Sequence, residues 1–225
     1  MCIRDRLETL DNGKPIRETR DIDVPLAVRH FYHHAGWAQL LGSEFPQQRA
    51  LGVVGQIVHW NFPLLMLAWK IAPALAGGNA VVFKPSEKTP ATGAMLVECY
   101  HAAGIPEGVV RLLVGGPDEG RALAGHADID GLLFTGSART GVALNRQYAD
   151  TPGKILALEM GGNNPLIVWD AADIPAAATL VIQSAFLSAG QRCTAARRLI
   201  AMLADESCAA QSVRPPSTTL SRPVT

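Results

Sequence analysis

Hydrophobic and polar residues follow one spacing before residue 51 and another after it. In residues 24–41, apolar and aromatic side chains recur three and four positions apart, which predicts an amphipathic helix within an N-terminal helical segment, 7–50. After residue 51, short apolar runs alternate with longer helical patterns. The predicted strands cover 51–58, 79–85, 108–115, 130–136 and 154–162, and the helices between them cover 64–77, 90–103, 117–125 and 138–149.

Strands that are almost continuously apolar and are separated by helices are typical of a parallel sheet covered on both faces. We therefore predict an α/β fold with a doubly wound parallel sheet over residues 51–160. A further strand at 165–169 and a helix at 175–189 indicate the beginning of a second α/β domain, 161–203.

The two ends of the chain differ from the rest. Residues 1–6, "MCIRDR", match neither spacing, and we interpret them as a non-native start outside the fold. Residues 204–225 are rich in Ser, Thr, Pro and Arg without periodicity, as expected of a disordered or frameshifted tail.

The composition favours a small-molecule partner. Twenty basic and twenty acidic residues cancel, and no block of like charges offers a surface for nucleic acid or an anionic membrane. The longest apolar stretch, 62–78, is interrupted by Lys70 and Pro73 and is shorter than the roughly 20 residues of a membrane span, so we predict no transmembrane segment. The four cysteines form no C-x-x-C pair and follow no signal peptide, which favours free thiols and a cytoplasmic location.

Ligands of doubly wound sheets bind beyond the carboxyl ends of the strands. In this sequence the segments that follow predicted strands are rich in glycine and polar residues. They are 59–63, 84–87, 136–141 and 159–164. No G-x-G-x-x-G fingerprint follows a predicted strand, so a nucleotide would have to be held by other means.

Two of these segments have the chemistry of a nucleotide site. Gly136 and Ser137 stand at a strand end before a helix, where free backbone N–H groups suit a phosphate, although Gly-Ser is also an ordinary helix cap. Lys84 and Glu87 could hold ribose hydroxyls, and the carboxylate would repel a 2′-phosphate. The alternative for this pair is an exposed charged turn.

Two further residues could act on a substrate. Glu159, at the end of an apolar strand, is expected to be partly desolvated, which raises the pKa of a carboxyl toward that of a general base; the alternative is a surface glutamate. Cys193 is either a nucleophile or an inert buried thiol. His30, His33 and His34 lack further ligands at metal-binding spacing, so we predict no metal site.

Taken together, five motifs resemble the aldehyde dehydrogenase superfamily in order and spacing, over residues 7 to about 203. They are "WNFP" (60–63), "KPSE" (84–87), "FTGS" (134–137), "LEMGG" (158–162) and "GQRCT" (190–194). One departure is His59, which stands where a proline is common in that superfamily.

The resemblance implies a mechanism and a cofactor, NAD. Cys193 would attack the aldehyde as a thiolate, and the Asn61 amide with the Cys193 backbone N–H would hold the oxyanion. After reduction of NAD, water activated by Glu159 would release the acid from the thioester. The implied cofactor-binding residues are Trp60, Lys84, Ser86, Glu87, Gly136, Ser137, Gly141 and Gly161.

The resemblance also suggests which substrate and which assembly to expect. Residues 128–199 look most like members that oxidise N-succinylglutamate 5-semialdehyde in arginine catabolism, whereas the earlier part looks more like broad-specificity members. Superfamily members are about twice this length, so an N-terminal fragment is expected, with homo-oligomers formed by the full-length protein. Two alternatives stay open: an NAD-binding module without turnover, and a thioester-forming acyltransferase, which the hydrolytic base Glu159 disfavours.

Overall fold

The computed structural model describes residues 3–202. The chain divides into two compact units, Met1–Met160 and Gly161–Thr225. This division falls at the position where the hydrophobic pattern ends the first α/β domain. Met1, Cys2 and the predicted tail 204–225 lie outside the described residues.

The first unit begins with helices. α1 (Ile3–Asn12) is followed by the single turn α2 (Ile16–Glu18), a π-helical stretch Thr19–Asp23, and the long α3 (Val24–Glu44). The predicted helix 24–41 is confirmed and extends three residues further. Residues 3–6 form the first turn of α1, and Asp5 is buried, so the prediction that 1–6 lies outside the fold is wrong for residues 3–6.

A five-stranded parallel sheet follows, with strand order β3-β2-β1-β4-β5. Its strands are β1 (Val53–Ile57), β2 (Ala80–Lys84), β3 (Val110–Leu112), β4 (Gly131–Gly136) and β5 (Ile155–Met160). The helices between them are α4 (Pro63–Ala76), α5 (Ala91–Ala102), α6 (Pro117–Gly125) and α7 (Ala138–Tyr148). The predicted doubly wound sheet is confirmed, and β3 is shorter than the predicted strand 108–115.

Two apolar clusters hold the helices on this sheet. One joins Leu67 and Ile71 of α4 to Phe83 of β2, all with 0% exposure. The other joins Leu132 of β4 to Tyr148 of α7. Each fully buried side chain of this size contributes about 1.5–3 kcal/mol through removal of its surface from water. The first unit therefore has a core of its own.

The apolar stretch 62–78 of the sequence is largely α4, which lies against the sheet. Its side chains from Pro63 to Ala68 are buried, and Lys70 is buried among them. Among residues 3–202, no helix combines the length and the hydrophobicity that crossing a membrane requires.

The second unit is small in its described part. Strand β6 (Asn164–Trp169) pairs in parallel with β7 (Ala196–Met202), and α8 (Ile174–Phe186) connects toward a 3-10 turn, Leu187–Gly190. α8 ends three residues before the predicted end at 189, because Ser188 and Ala189 adopt left-handed φ angles of 54° and 55°. None of the residues of α8 is buried.

Candidate active site

The carboxyl ends of four strands lie side by side in the first unit. Ile57 of β1 is in register with Lys84 of β2 and with Phe134 of β4, and Phe134 is in register with Leu158 of β5. Since the strands are parallel, the segments after them begin at one edge of the sheet. The strand order reverses between β1 and β4, which is the position where doubly wound sheets form a binding crevice. The prediction that these segments share one edge is confirmed.

At this edge Lys84 and Glu87 differ sharply in exposure. Lys84 is 4% exposed and its Nζ donates to the Pro85 carbonyl at 3.1 Å, whereas Glu87 is exposed. Burial lowers the pKa of Lys84, and the Glu87 and Glu119 carboxylates act in the opposite direction. Ser86 Oγ accepts from the Lys88 N–H at 3.2 Å and stabilises the turn. A buried ammonium beside an exposed carboxylate offers donor and acceptor together, as ribose hydroxyls require.

The turn from β4 into α7 has glycines where side chains would not fit. A Cβ on Gly136 would lie 2.5 Å from the Phe134 ring, and a Cβ on Gly141 would collide with the Met160 sulfur. Ser137 is the N-cap of α7, and its Oγ accepts from the Thr140 N–H at 3.2 Å. Gly136 and Ser137 thus stand at the positive end of an 11-residue helix, an arrangement that suits a phosphate.

Asn61 lies in the turn between β1 and α4. His59 Nδ1 is 3.3 Å from Asn61 Oδ1, and the His59 and Trp60 rings lie 5.2 Å apart. Burial lowers the pKa of His59, and the hydrogen bond that its ring donates to the Asn61 side chain acts in the opposite direction. The contact suits the His59 tautomer in which Nδ1 carries the proton. In that tautomer His59 donates to the Asn61 side-chain oxygen, and the donor group of the Asn61 side chain is its amide nitrogen.

Glu159 forms an ion pair that sequence reasoning missed. Its Oε1 is 3.2 Å from Nζ of Lys70, which is 4% exposed, and Thr135 Oγ1 donates to its Oε2 at 3.5 Å. The Glu159 side chain is 52% exposed, so it is less desolvated than the sequence predicted. The available signal was Lys70 itself, a single charge inside an apolar helix.

Cys193 belongs to the second unit, where its thiol is free and its side chain exposed. Asn164 Nδ2, another residue that the sequence did not reveal, donates to the Cys193 carbonyl at 2.7 Å and to the Ala195 carbonyl at 3.2 Å. Arg192 Nε donates to Ser188 Oγ at 2.8 Å. The loop that carries the thiol is therefore held through its backbone and through Arg192.

Two other groups singled out from the sequence have simpler surroundings. A Cβ on Gly161 would meet nothing within 4 Å, so its predicted cofactor contact stays a prediction.

His30, His33 and His34 lie on α3, where the His30 ring stacks on Trp69 at 5.6 Å and His34 Nδ1 contacts the His30 carbonyl at 2.7 Å.

Fold and edge together define a Rossmann-like nucleotide-binding domain followed by a unit that carries an exposed thiol. The sequence matches the model of the aldehyde dehydrogenase family over residues 5–213. This chain belongs to the aldehyde dehydrogenase family, which confirms the resemblance seen in the five motifs.

Two curated relatives have the same name. N-succinylglutamate 5-semialdehyde dehydrogenase of Sphingopyxis alaskensis is 68% identical over 200 residues, covering 84% of this chain and 42% of that protein. The protein of the same name from Novosphingobium aromaticivorans is 52% identical over 209 residues, covering 87% of this chain and 44% of its own. The chain thus spans less than half the length of these relatives.

Solved structures share the fold. PnpE from Pseudomonas sp. WBC-3, in complex with nicotinamide adenine dinucleotide, has a TM-score of 0.81 at 38% identity and matches 88% of this chain and 42% of that one. Betaine aldehyde dehydrogenase from Staphylococcus aureus, in complex with NAD⁺, has a TM-score of 0.82 at 37% identity, over 88% of this chain and 41% of that one. The predicted fold class is confirmed.

Proposed function

We propose that this chain carries the NAD site and the nucleophile of an enzyme that oxidises an aldehyde to a carboxylic acid. One observation carries the proposal: in a member of the aldehyde dehydrogenase family, the Asn61 turn, Lys84, Gly136 and Glu159 follow or end strands at the same edge of one parallel sheet. Family relatives solved with NAD support the choice of cofactor.

The residues at the edge fit NAD. The turn at Gly136, Ser137 and Gly141, at the N-terminus of α7, would hold the pyrophosphate, while Lys84 and Glu87 would hold the adenine ribose. The Glu87 carboxylate favours NAD over NADP because it repels a 2′-phosphate. Trp60, Ser86 and Gly161 complete the proposed contacts. When bound, NAD supplies the two-electron acceptor of the oxidation.

The chain's own residues would perform the remaining steps. The Cys193 thiolate forms a bond to the aldehyde carbon, and the carbonyl oxygen becomes an oxyanion that Asn61 Nδ2 and the Cys193 backbone N–H stabilise. Oxidation at that carbon leaves a thioester on Cys193. Glu159, positioned by Lys70, then takes a proton from water, whose oxygen bonds to the acyl carbon as the thiolate leaves.

For the substrate of the whole protein we propose N-succinylglutamate 5-semialdehyde. Its support is the shared name of relatives that are 52% and 68% identical to this chain. The structural neighbour named for another substrate, betaine aldehyde dehydrogenase, is less similar, at 37% identity.

Intact-mass spectrometry with peptide mapping tests this function. The chain is incubated with NAD and N-succinylglutamate 5-semialdehyde, and NADH is followed by absorbance. We expect a burst of NADH and an acyl adduct on Cys193 that persists in Glu159→Gln, because the thioester then lacks its base. Cys99→Ser, which removes the other cysteine side chain among residues 3–202, should leave both signals unchanged.

Two outcomes would overturn the proposal. One is NAD binding with neither NADH nor adduct, which identifies a nucleotide-binding module without turnover. The other is an NADH burst that survives Cys193→Ser, which removes the thiol from the reaction.

A further inference from the structure

α1 supplies partners to the N-termini of two sheet helices that lack their own caps. The residues before α4 and α5 are Phe62 and Pro90, and neither gives a side-chain cap. Asp11 accepts from the Thr92 N–H at 2.9 Å and from the Ala91 N–H at 3.3 Å, at the start of α5. The first N–H groups of a helix have no partner within it, so such acceptors fix where the helix begins.

Glu8 has the corresponding place at α4. Its Oε1 accepts from the Leu64 N–H at 3.5 Å and from Asn12 Nδ2 at 2.9 Å, and the side chain is 0% exposed. One face of α1 thus contacts the beginnings of both helices. Only α4, however, begins directly after the proposed oxyanion donor, Asn61.

Lys14 contacts the same turn from a second direction. Its Nζ lies 3.4 Å from the centroid of the Phe62 ring, and Phe62 is the residue after Asn61. The ammonium is 2.6 Å from Asp23 Oδ2, and the two side chains are only 4% and 2% exposed. A buried cation over an aromatic face is favourable, and the Asp23 carboxylate fixes where the cation stands.

Both contacts act on the residues that follow Asn61 in the proposed catalytic turn. Lys14 holds the ring of residue 62, and Glu8 holds the backbone of residue 64. Between them stands Pro63, whose φ is fixed by its ring. With residues 62–64 constrained, we expect the backbone on the C-terminal side of Asn61 to have little freedom to rotate.

We propose that Lys14, held by Asp23, and Glu8 are positioning residues that set the Asn61 amide for the oxyanion, although they stand about fifty residues earlier in the sequence. The inference rests on the proposed role of Asn61. Displacement of a catalytic group by about 1 Å can lower a rate by about 100-fold. Through the position of Asn61, the N-terminal helices would therefore contribute to the reaction as well as to the fold.

Fluorine NMR of the chain labelled with fluorotryptophan tests the positioning. Trp60 precedes Asn61, and its resonance is identified by its loss in Trp60→Phe. We expect Lys14→Met to shift or broaden the Trp60 resonance and Lys14→Arg to restore it. Asp11→Asn is the matched control: it weakens the cap of α5, which does not adjoin Asn61, so the Trp60 resonance should stay in place.

A second variant distinguishes loss of positioning from misfolding. Lys14→Met together with Asp23→Asn removes both charges of the pair, so Asp23 is not left as a buried carboxylate without its cation. It should displace the Trp60 resonance as Lys14→Met does, because the cation over Phe62 is absent in both. A Trp60 resonance that moves no more in these variants than in Asp11→Asn would overturn the proposal.

The rate of the NADH burst gives the functional readout. Lys14→Met should slow the burst by about 10- to 100-fold, and it should add little further loss in an Asn61→Ala background, because the two changes act through one group. Full additivity would contradict positioning through Asn61. A wild-type burst in Asn61→Ala would instead overturn the proposed role of Asn61, while the Trp60 resonance still decides whether Lys14 fixes the turn.

Discussion

The two units of the chain differ in how their apolar side chains are used. In the first, large side chains such as Leu67, Ile71 and Phe83 are fully buried between helices and sheet. In the described part of the second, residues 161–202, large apolar side chains remain accessible, and α8 buries no residue. Those between 49% and 70% exposed are Ile167, Trp169, Ile174, Leu180, Ile182, Phe186, Ile200 and Met202.

The difference separates two parts of the proposed chemistry. The candidate cofactor residues lie at the end of a sheet with its own core, and Glu159 and Asn61 are held there by Lys70 and His59. Cys193 lies on a loop that follows two left-handed residues, Ser188 and Ala189, a conformation that raises the free energy of non-glycine residues. We therefore expect these 225 residues to bind the cofactor more readily than they carry out the reaction at Cys193.

Loss of a phenylalanine ring should change the free energy of unfolding far more in the first unit than in the second. Phe83→Ala in β2 removes a ring with 0% exposure and should lower the free energy of unfolding by about 3–5 kcal/mol. Phe186→Ala in α8 removes a ring with 49% exposure and should change it by less than about 1 kcal/mol. Urea unfolding followed by circular dichroism measures both. Equal losses would show that Phe186 is as well packed as Phe83 and would remove the contrast between the units.

A buried carboxyl should make the stability of the first unit depend on pH. Burial raises the pKa of Glu8 from 4.5 to about 7, while the Lys14 ammonium, hydrogen bonds from Thr92 and the Leu64 backbone oppose the rise and Asp23 adds to it. Between these pH values the folded state holds a proton that the unfolded state has lost. The free energy of unfolding should therefore fall by about 3 kcal/mol as the pH rises from 4.5 through 7.

Glu8→Gln should abolish that fall, since the amide does not titrate. The matched control is Glu107→Gln, whose parent side chain is 75% exposed and should keep the wild-type slope. Urea midpoints measured across this pH range decide the matter, and an unchanged slope in Glu8→Gln would assign the pH dependence to other groups.

The smallest effect concerns two helix caps. Ser137→Ala removes the cap of α7 and Asp173→Ala removes the cap of α8, each at a cost of about 1 kcal/mol. The first change should lower the unfolding free energy of the first unit. The second should appear only as faster amide hydrogen exchange within residues 174–186. Ser43→Ala, which removes only a bond to the Leu40 carbonyl near the end of α3, serves as the control.

Hydrophobic spacing was sufficient to predict the sheet and its helices, because the periodicity of apolar residues is a local property of the sequence. It could not predict where α8 ends, since the left-handed Ser188 and Ala189 are not glycines. Residues 3–6 were missed for a related reason: Asp5 is buried although it is charged, which a hydrophobic pattern cannot anticipate.

The carboxyl ends of parallel strands meet at one edge of a sheet. The order of the motifs was therefore enough to assign Asn61, Lys84 and Glu159 to that edge. The partners that hold these residues lie on other elements. Lys70 comes from α4, and Lys14 reaches the Asn61 turn across forty-eight positions of sequence, from 14 to 62. Such contacts depend on tertiary packing, and nothing in the local sequence specifies them.

Calorimetric titration of the chain with NAD asks whether the edge of the first unit binds the cofactor. We predict that one NAD binds per chain, that Lys84→Met weakens binding about tenfold or more by removing a charged donor, and that Cys193→Ser leaves the affinity unchanged. Absence of binding, or equal affinity in Lys84→Met and the wild type, would show that Lys84 and this edge do not form the cofactor site.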